Sequence, residues 1–483
     1  MKWEKLLGTK RQRESSFATR NSQTDYRSEF EKDYHRIIGS ASFRRLQDKT
    51  QVFPLDKSDF IRTRLTHSLE ASSLAKSLGQ NIGEYILAHK KGSGFTVQMK
   101  EDICNILQCA GLIHDIGNPP FGHFGESAIR EWFERNLEGL QFKQIHSKGE
   151  HAGKMEQVSV KDMLTEQMKQ DLYQFEGNAQ ALRLVSKLHF LVDEQGMNLT
   201  YALLNTIIKY PVSSVEMNKN SGNIKDKKMG YYLADSDIFE EIQKEIGTNG
   251  RRHPLTFILE AADDIAYKTA DIEDAFVKGY LSYYTLKKEL GKLELKGGGQ
   301  YFNPVEQLEK QYERGISKGV KSPEEYAVKN WIVRAQGFLI SCATFGFTSN
   351  YEAIMNGTYK HDLFHNTFCE SFIKKLGSIA YEHVFTSTSI FKMEVSGATI
   401  INFLMDKLIG AAINYDTKAG MGSMDQRLMS MISENYKNAY HYHAEGKDEG
   451  YRLYLRLLLV TDYICGMTDS YAKRLYQELN AVV

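Results

Sequence analysis

Apolar residues recur every three to four positions along most of this 483-residue chain, and only 7 prolines interrupt it. Leu65, Leu69, Ala75, Leu78, Ile82 and Ile86 follow that spacing, as do Ile103, Ile106, Leu107, Ala110 and Ile113, and again Leu453, Leu457, Val460 and Ile464. A period near 3.6 places such residues on one face of an amphipathic or buried helix. Few segments alternate with period two, so no sizeable sheet is expected and the chain reads as mainly α. With 42% hydrophobic and 25% charged residues, it is a globular chain, neither disordered nor fibrous. Its 61 basic and 61 acidic residues cancel, which disfavours a generally basic nucleic-acid binder. No apolar run approaches the roughly 18–20 residues of a membrane span. Met1-Lys2-Trp3-Glu4-Lys5 leads into polar residues rather than a signal-peptide core. Five cysteines are too few for a disulfide framework. Cys104 and Cys109 read as apolar helix residues, and the setting as cytoplasmic with no membrane partner.

Three regions are expected. Residues 1–30 form a polar arm containing the basic cluster Lys10-Arg11-Gln12-Arg13, read foremost as a solvated terminus. Residues 31–295 form a catalytic core, with loop excursions near 139–172 and 213–230. Lys296-Gly297-Gly298-Gly299-Gln300 reads as a linker to a helical region at 300–483 that contributes to the site or to assembly.

The chemistry concentrates at Gly111-Leu112-Ile113-His114-Asp115-Ile116-Gly117-Asn118-Pro119-Pro120-Phe121-Gly122-His123-Phe124-Gly125-Glu126. A His-Asp pair closes an apolar helix that Gly-Asn-Pro-Pro then breaks. Ionisable residues at a buried helix end need a partner, and a metal ion is one. Other segments supply matching ligand types. His67 starts an amphipathic helix whose apolar face carries Leu69, Ala75 and Leu78. Asp263, Tyr267 and Asp271 fall at i, i+4 and i+8 among Ala261, Ala262, Ile265 and Ala266, so two carboxylates and a ring share one helix stripe. His123 and Glu126 lie within one turn of each other.

His67, then His114-Asp115, then Asp263 resembles the H…HD…D signature of the HD-domain metal-dependent phosphohydrolases. The flanks are similar to one branch, the bacterial deoxyguanosine triphosphate triphosphohydrolases. The matching blocks are Phe43-Arg44-Arg45-Leu46-Gln47-Asp48-Lys49-Thr50-Gln51-Val52-Phe53, Thr63-Arg64-Leu65-Thr66-His67-Ser68, HDIGNPPFGHFGE at 114–126, Phe175-Glu176-Gly177-Asn178-Ala179-Gln180, EAADDIAY at 260–267, and Asp462-Tyr463-Ile464-Cys465-Gly466-Met467-Thr468-Asp469. A bare His-Asp pair is common; the long string together with EAADDIAY is specific.

The resemblance implies an HD-type helical bundle with further C-terminal helices and one divalent metal on His67, His114, Asp115 and Asp263. That N/O set leaves Mn²⁺, Mg²⁺, Fe²⁺ and Zn²⁺ open; the resemblance favours Mn²⁺ or Mg²⁺. The implied reaction splits a deoxynucleoside triphosphate, dGTP by preference, into deoxynucleoside and intact triphosphate, with His123 as acid and Glu126 orienting it. Arg64, one helical turn before His67, suits an α-phosphate contact, and the segments that carry Lys209, Tyr210 and Lys228 resemble the family's phosphate-gripping ones, although Met229 stands where the family commonly has proline. Tyr267 would pack on the deoxyribose, Gln51 and Asp271 would bond its 3′ hydroxyl, Val52 would lie beside the base, and Asn178 near the site. Arg452 and Arg456, four apart on one helix face, would reach the site, an effector or a neighbouring subunit. Tetramers or hexamers, and binding of single-stranded DNA, are further properties the resemblance implies. A broad, nucleotide-activated dNTPase, another HD phosphohydrolase, and a nucleic-acid-binding protein with a vestigial site remain the alternatives.

Overall fold

The computed structural model describes residues 1–13, 25–52, 62–145, 155–189, 195–294 and 302–482. The Lys296–Gln300 linker, residues 146–154 of the first excursion and residues 14–24 of the arm lie outside them.

The chain is mainly α-helical, as its apolar spacing predicts. The helices that place the site are α1 (Trp3–Leu6), α2 (Arg64–His89), α3 (Val97–Ile113), α4 (His123–Asn136), α5 (Gly177–Arg183) and α6 (Pro254–Val277). Four from the C-terminal region complete the frame: α7 (Pro323–Ser349), α8 (Thr388–Ala412), α9 (Glu449–Cys465) and α10 (Asp469–Leu479). Helices α2 and α3 pack along most of their length, α6 lies across α2, and α7 covers both α2 and α6. Helix α8 packs on α4, α9 and α10. Among the described residues the one sheet is a hairpin of β1 (Gln141–Ile145) and β2 (Met155–Ser159), antiparallel with Gln141 opposite Ser159.

Small residues let α2 and α3 approach closely. A Cβ added at Gly111 would lie 2.4 Å from the Ser72 Cα, and one at Gly79 would lie 2.7 Å from Leu107 Cδ1. The buried stripe of α2 runs through Ala71, Ala75, Leu78, Ile82 and Ile86, but its first turn is polar: Arg64, His67 and Ser68 are buried. Leu69, expected on the apolar face, is half exposed instead. The inward positions at this end belong to site residues, so the aliphatic side chain is displaced outward.

The solvated N-terminus expected from composition is corrected for residues 1–13. Trp3 and Leu6 are buried, and the Trp3 indole donates to the Tyr351 hydroxyl at 2.9 Å. Arg11 is buried and pairs with Asp33 at 2.5 Å and Glu29 at 2.9 Å, while Lys10 pairs with Glu245 at 3.2 Å. These two cations are neutralised in place and form no open basic patch. All five cysteines are free and buried, and Cys104 and Cys109 match their reading as apolar helix residues. The expectation that no apolar run approaches membrane length is also corrected: the 23-residue stretch Ile390–Ala412 within α8 is long and apolar enough by length and composition. It is built into the protein, with Ile401, Leu404, Met405 and Leu408 buried.

One buried ion cluster ties the core to the C-terminal helices. Arg183 reaches Asp462 through Nη2 at 2.8 Å and Asp235 through Nη1 at 3.1 Å, all three buried. Removing one partner of such a set strands the others in a medium of low polarity. Arg183→Met is therefore expected to cost about 3–5 kcal/mol, read as a lowered urea midpoint; an unchanged midpoint would contradict it.

Candidate metal centre and its cavity

Four ligand-type side chains from three helices converge beneath a surface cavity. Helix α2 opens on a capping box in which Thr63 and Thr66 satisfy each other's backbone, and this sets Arg64 and His67 in the first turn. Helix α3 stops at Ile113, leaving His114 and Asp115 at its end. His114 Nδ1 lies 2.8 Å from the Gly111 carbonyl, which can only accept, so Nδ1 carries the proton and Nε2 presents its lone pair. That Nε2 is buried and makes no hydrogen bond. Asp263, from α6, brings Oδ1 to 3.2 Å from His67 Nε2 and 3.2 Å from His114 Nε2. Asp115 Oδ1 is 3.7 Å from His114 Nε2. Ligand atoms of His67, His114 and Asp115 all lie within 4.8 Å of one another.

Two buried imidazoles, one with an unspent lone pair, and two carboxylates match a divalent cation. The carboxylates are ready for that role. Burial pushes both toward the neutral acid, but neighbouring cations outweigh it. Lys209 at 2.9 Å, joined by His114 when that ring carries its second proton, holds Asp263 well below the usual carboxylate range, while a protonated His114 and Arg64, the latter at 2.5 Å, hold Asp115 low.

His123 begins α4 after two left-handed residues, Phe121 (φ 63°) and Gly122 (φ 58°). Glycine at 122 also makes room, since a Cβ there would lie 2.4 Å from Arg64 Nη2. His123 Nδ1 is 3.0 Å from Glu126 Oε2. The other Glu126 oxygen accepts the Gly177 N–H at 2.8 Å. Burial raises the Glu126 carboxyl, yet the bond from His123 and the nearby Lys228 bring it below its ordinary value. His123 itself is 72% exposed and faces the opening.

The cavity, of about 400 Å³, is lined by Gln51, Arg64, Asp115, His123, Glu126, Asn178, Lys209, Tyr210, Lys228, Asp263 and Tyr267, all named from the sequence. His67 and His114 are buried beside Asp263 and Asp115 and do not themselves line it. Val52 and Asp271 are buried and do not line it; both Asp271 oxygens lack hydrogen-bond partners. Arg452 and Arg456 do not reach the cavity, which corrects that part of their reading. Arg452 pairs with Asp416 at 2.6 Å, and Arg456 is buried, paired with Glu449 at 2.7 Å and lying over the Phe142 ring.

Sequence reasoning passed over other lining residues: Asn118, Glu176, Ile224, Lys227, Glu260, Asp264, Lys268 and Asp362. Most sat inside the strings already singled out. Glu176 is the clearest loss, because it takes Lys228 at 2.8 Å and the Asn178 amide at 2.6 Å. Asp362 carried no signal at all. It reaches the wall because the 213–230 loop and the segment around 360 dock together, with Ile224 N–H donating to the Lys360 carbonyl at 2.9 Å. From the C-terminal region, Asp362 thus lies on the cavity lining.

The HD domain family model matches residues 64–189, which include His67, His114-Asp115 and His123. The chain is 47% identical, over 100% of both chains, to the deoxyguanosinetriphosphate triphosphohydrolase-like protein of Listeria innocua serovar 6a. It is 33% identical to the deoxyguanosinetriphosphate triphosphohydrolase of Yersinia pseudotuberculosis serotype O:3, over 94% of each chain. The protein of this name from Yersinia pestis (strain Pestoides F) is likewise 33% identical over 94% of each. The strings around His67, His114 and Asp263 and these full-length similarities agree: the chain belongs to the deoxyguanosinetriphosphate triphosphohydrolase family of HD-domain hydrolases.

Proposed function

We propose that the protein hydrolyses dGTP to deoxyguanosine and inorganic triphosphate. The observation that carries this reading is the meeting, in one cavity, of the His67/His114/Asp115/Asp263 cluster with the His123–Glu126 pair. A divalent cation bound by that cluster, Mn²⁺ or Mg²⁺ on the family resemblance, supplies Lewis acidity and an activated water. Every other part falls to the chain. Arg64, Lys209 and Lys228 face the phosphates, and a net-neutral protein needs such local concentration to hold about four negative charges. Water attacks the α-phosphorus, and the bond to the sugar 5′ oxygen breaks. That oxygen needs a proton as it leaves. Glu126 occupies His123 Nδ1, so Nε2 is the nitrogen left to deliver it.

Tyr267 stands one helical turn from Asp263 on the cavity wall and closes the sugar side, where a 2′ hydroxyl would collide. Gln51, on the same cavity lining, is left for the 3′ hydroxyl, whereas Asp271, one turn further, is buried and does not line the cavity. Tyr267→Ala should cut discrimination between dGTP and GTP by roughly 10- to 100-fold, measured as the ratio of their kcat/KM values. An unchanged ratio would remove Tyr267 as the sugar gate.

The test of the whole reading is a product assay with Mn²⁺ and dGTP, dATP, dCTP, dTTP or GTP, resolved by ion exchange. Deoxyguanosine and intact triphosphate, mainly from dGTP, support it. The same product type from every dNTP replaces it with a broad dNTPase. Monophosphate or pyrophosphate overturns the chemistry.

A further inference from the structure

The Asp462–Asp469 segment enters no step described so far, yet its last residue touches the catalytic turn. Asp469 is buried at the start of α10. An acid there would ordinarily satisfy its own helix's N–H groups. This one does not, because Thr468 already caps the helix by accepting from Tyr471 N–H. The Asp469 carboxylate points across to two other segments. Oδ1 accepts the Phe121 N–H at 2.9 Å. Oδ2 accepts the Thr50 N–H at 3.0 Å and its hydroxyl at 2.6 Å.

Phe121 is the residue that most needs holding. A bulky side chain at φ 63° is a rare conformation, and it persists only where the surroundings impose it. Its ring packs under α8, where a Cβ added at Gly397 would lie 3.0 Å from Phe121 Cγ. A second tie runs beside it: Lys49 is buried and donates from Nζ to the Asn118 and Cys465 carbonyls, each at 2.6 Å. The turn 118–122 is thus fastened to the C-terminal helices at both ends. Immediately after it comes His123, whose own side chain is mostly exposed and is steadied by Glu126.

We infer that Asp469 is a positioning residue for His123: its carboxylate fixes the left-handed Phe121 from which His123 is aimed into the cavity. The inference rests on the reading of His123 as proton donor. It makes the C-terminal helices part of the catalytic geometry without lending them a group that touches substrate.

The experiment compares the full-length wild type, Asp469→Asn, His123→Ala and the double variant, each with Mn²⁺ and dGTP, recording kcat, KM, bound manganese and Tm. Asp469→Asn keeps the shape but cannot accept from both segments. It should lower kcat by about 10- to 100-fold, the size expected when a reacting group is displaced by about an ångström. KM should stay within about two-fold and manganese content unchanged. On the His123→Ala background the same substitution should cost less than about two-fold, because a residue acting through another has nothing left to act on. Wild-type kcat in Asp469→Asn, or an equal loss on both backgrounds, overturns the inference. Full activity in His123→Ala alone would sink the proton-donor reading and this inference with it, a failure the single variant identifies. Should Asp469→Asn not fold, Thr50→Val, which removes one of three donors, should lower kcat several-fold with the same dependence on His123. Wild-type kcat there overturns the inference equally.

Discussion

Asp263→Ala should leave the protein folded but unable to retain manganese, with dGTP turnover down by at least about 10³-fold, equivalent to about 4 kcal/mol of barrier. Asp263 Oδ1 lies 3.2 Å from both facing imidazole nitrogens, so it closes the ligand cluster rather than decorating it. Its other oxygen neutralises Lys209, a buried lysine whose ammonium is held in the charged form chiefly by that contact, against its burial. Alanine therefore deletes a ligand and leaves an uncompensated cation in the same place. Metal analysis after gel filtration, together with kcat, checks both. Stoichiometric manganese with normal turnover would remove Asp263 from the centre.

His123→Ala should behave differently. The ring sits on the cavity wall, outside the group of ligand atoms from His67, His114 and Asp115, so bound manganese should equal that of wild type. The kcat for dGTP should fall about 10²–10⁴-fold, the usual contribution of a positioned acid. A 5′ alkoxide leaves poorly without its proton, so the loss should appear in kcat rather than KM. Full activity would exclude His123 as the acid; lost manganese would mean that it belongs to the centre after all. The two variants together separate a failure to assemble the site from a failure of one group within it.

Helical periodicity is a local signal, which is why the fold class was legible and the direction of individual faces was less so. Arg452 and Arg456 do share a helix, but Arg456 turns inward over Phe142, and its neighbours decide that rather than its spacing. Leu69 errs the other way, exposed because Arg64, His67 and Ser68 take the inward positions. The convergence of His67, His114, Asp115 and Asp263 was legible because each sits in a distinctive string and its helix register survives folding. Lys209, Tyr210 and Lys228 were found through resemblance, since isolated basic residues carry no periodic mark. Asp362 was out of reach: its place on the wall follows from one loop docking on another, a long-range event with no local signature. The N-terminal residues were misjudged for a related reason. Polar composition predicts solvation, but a single tryptophan, Trp3, with a matching partner in Tyr351, anchors the segment.

The close crossing of α2 and α3 at Gly111 bears on how inherited changes in this chain would sort by severity. A methyl group at that point alters no charge, no ligand and no phosphate contact. It would nonetheless have to displace the backbone at Ser72. The same glycine's carbonyl sets the tautomer of His114. A random screen for inactive alleles should therefore return glycine 111 beside the histidines, and ranking variants by chemical conservatism alone would file it among the harmless.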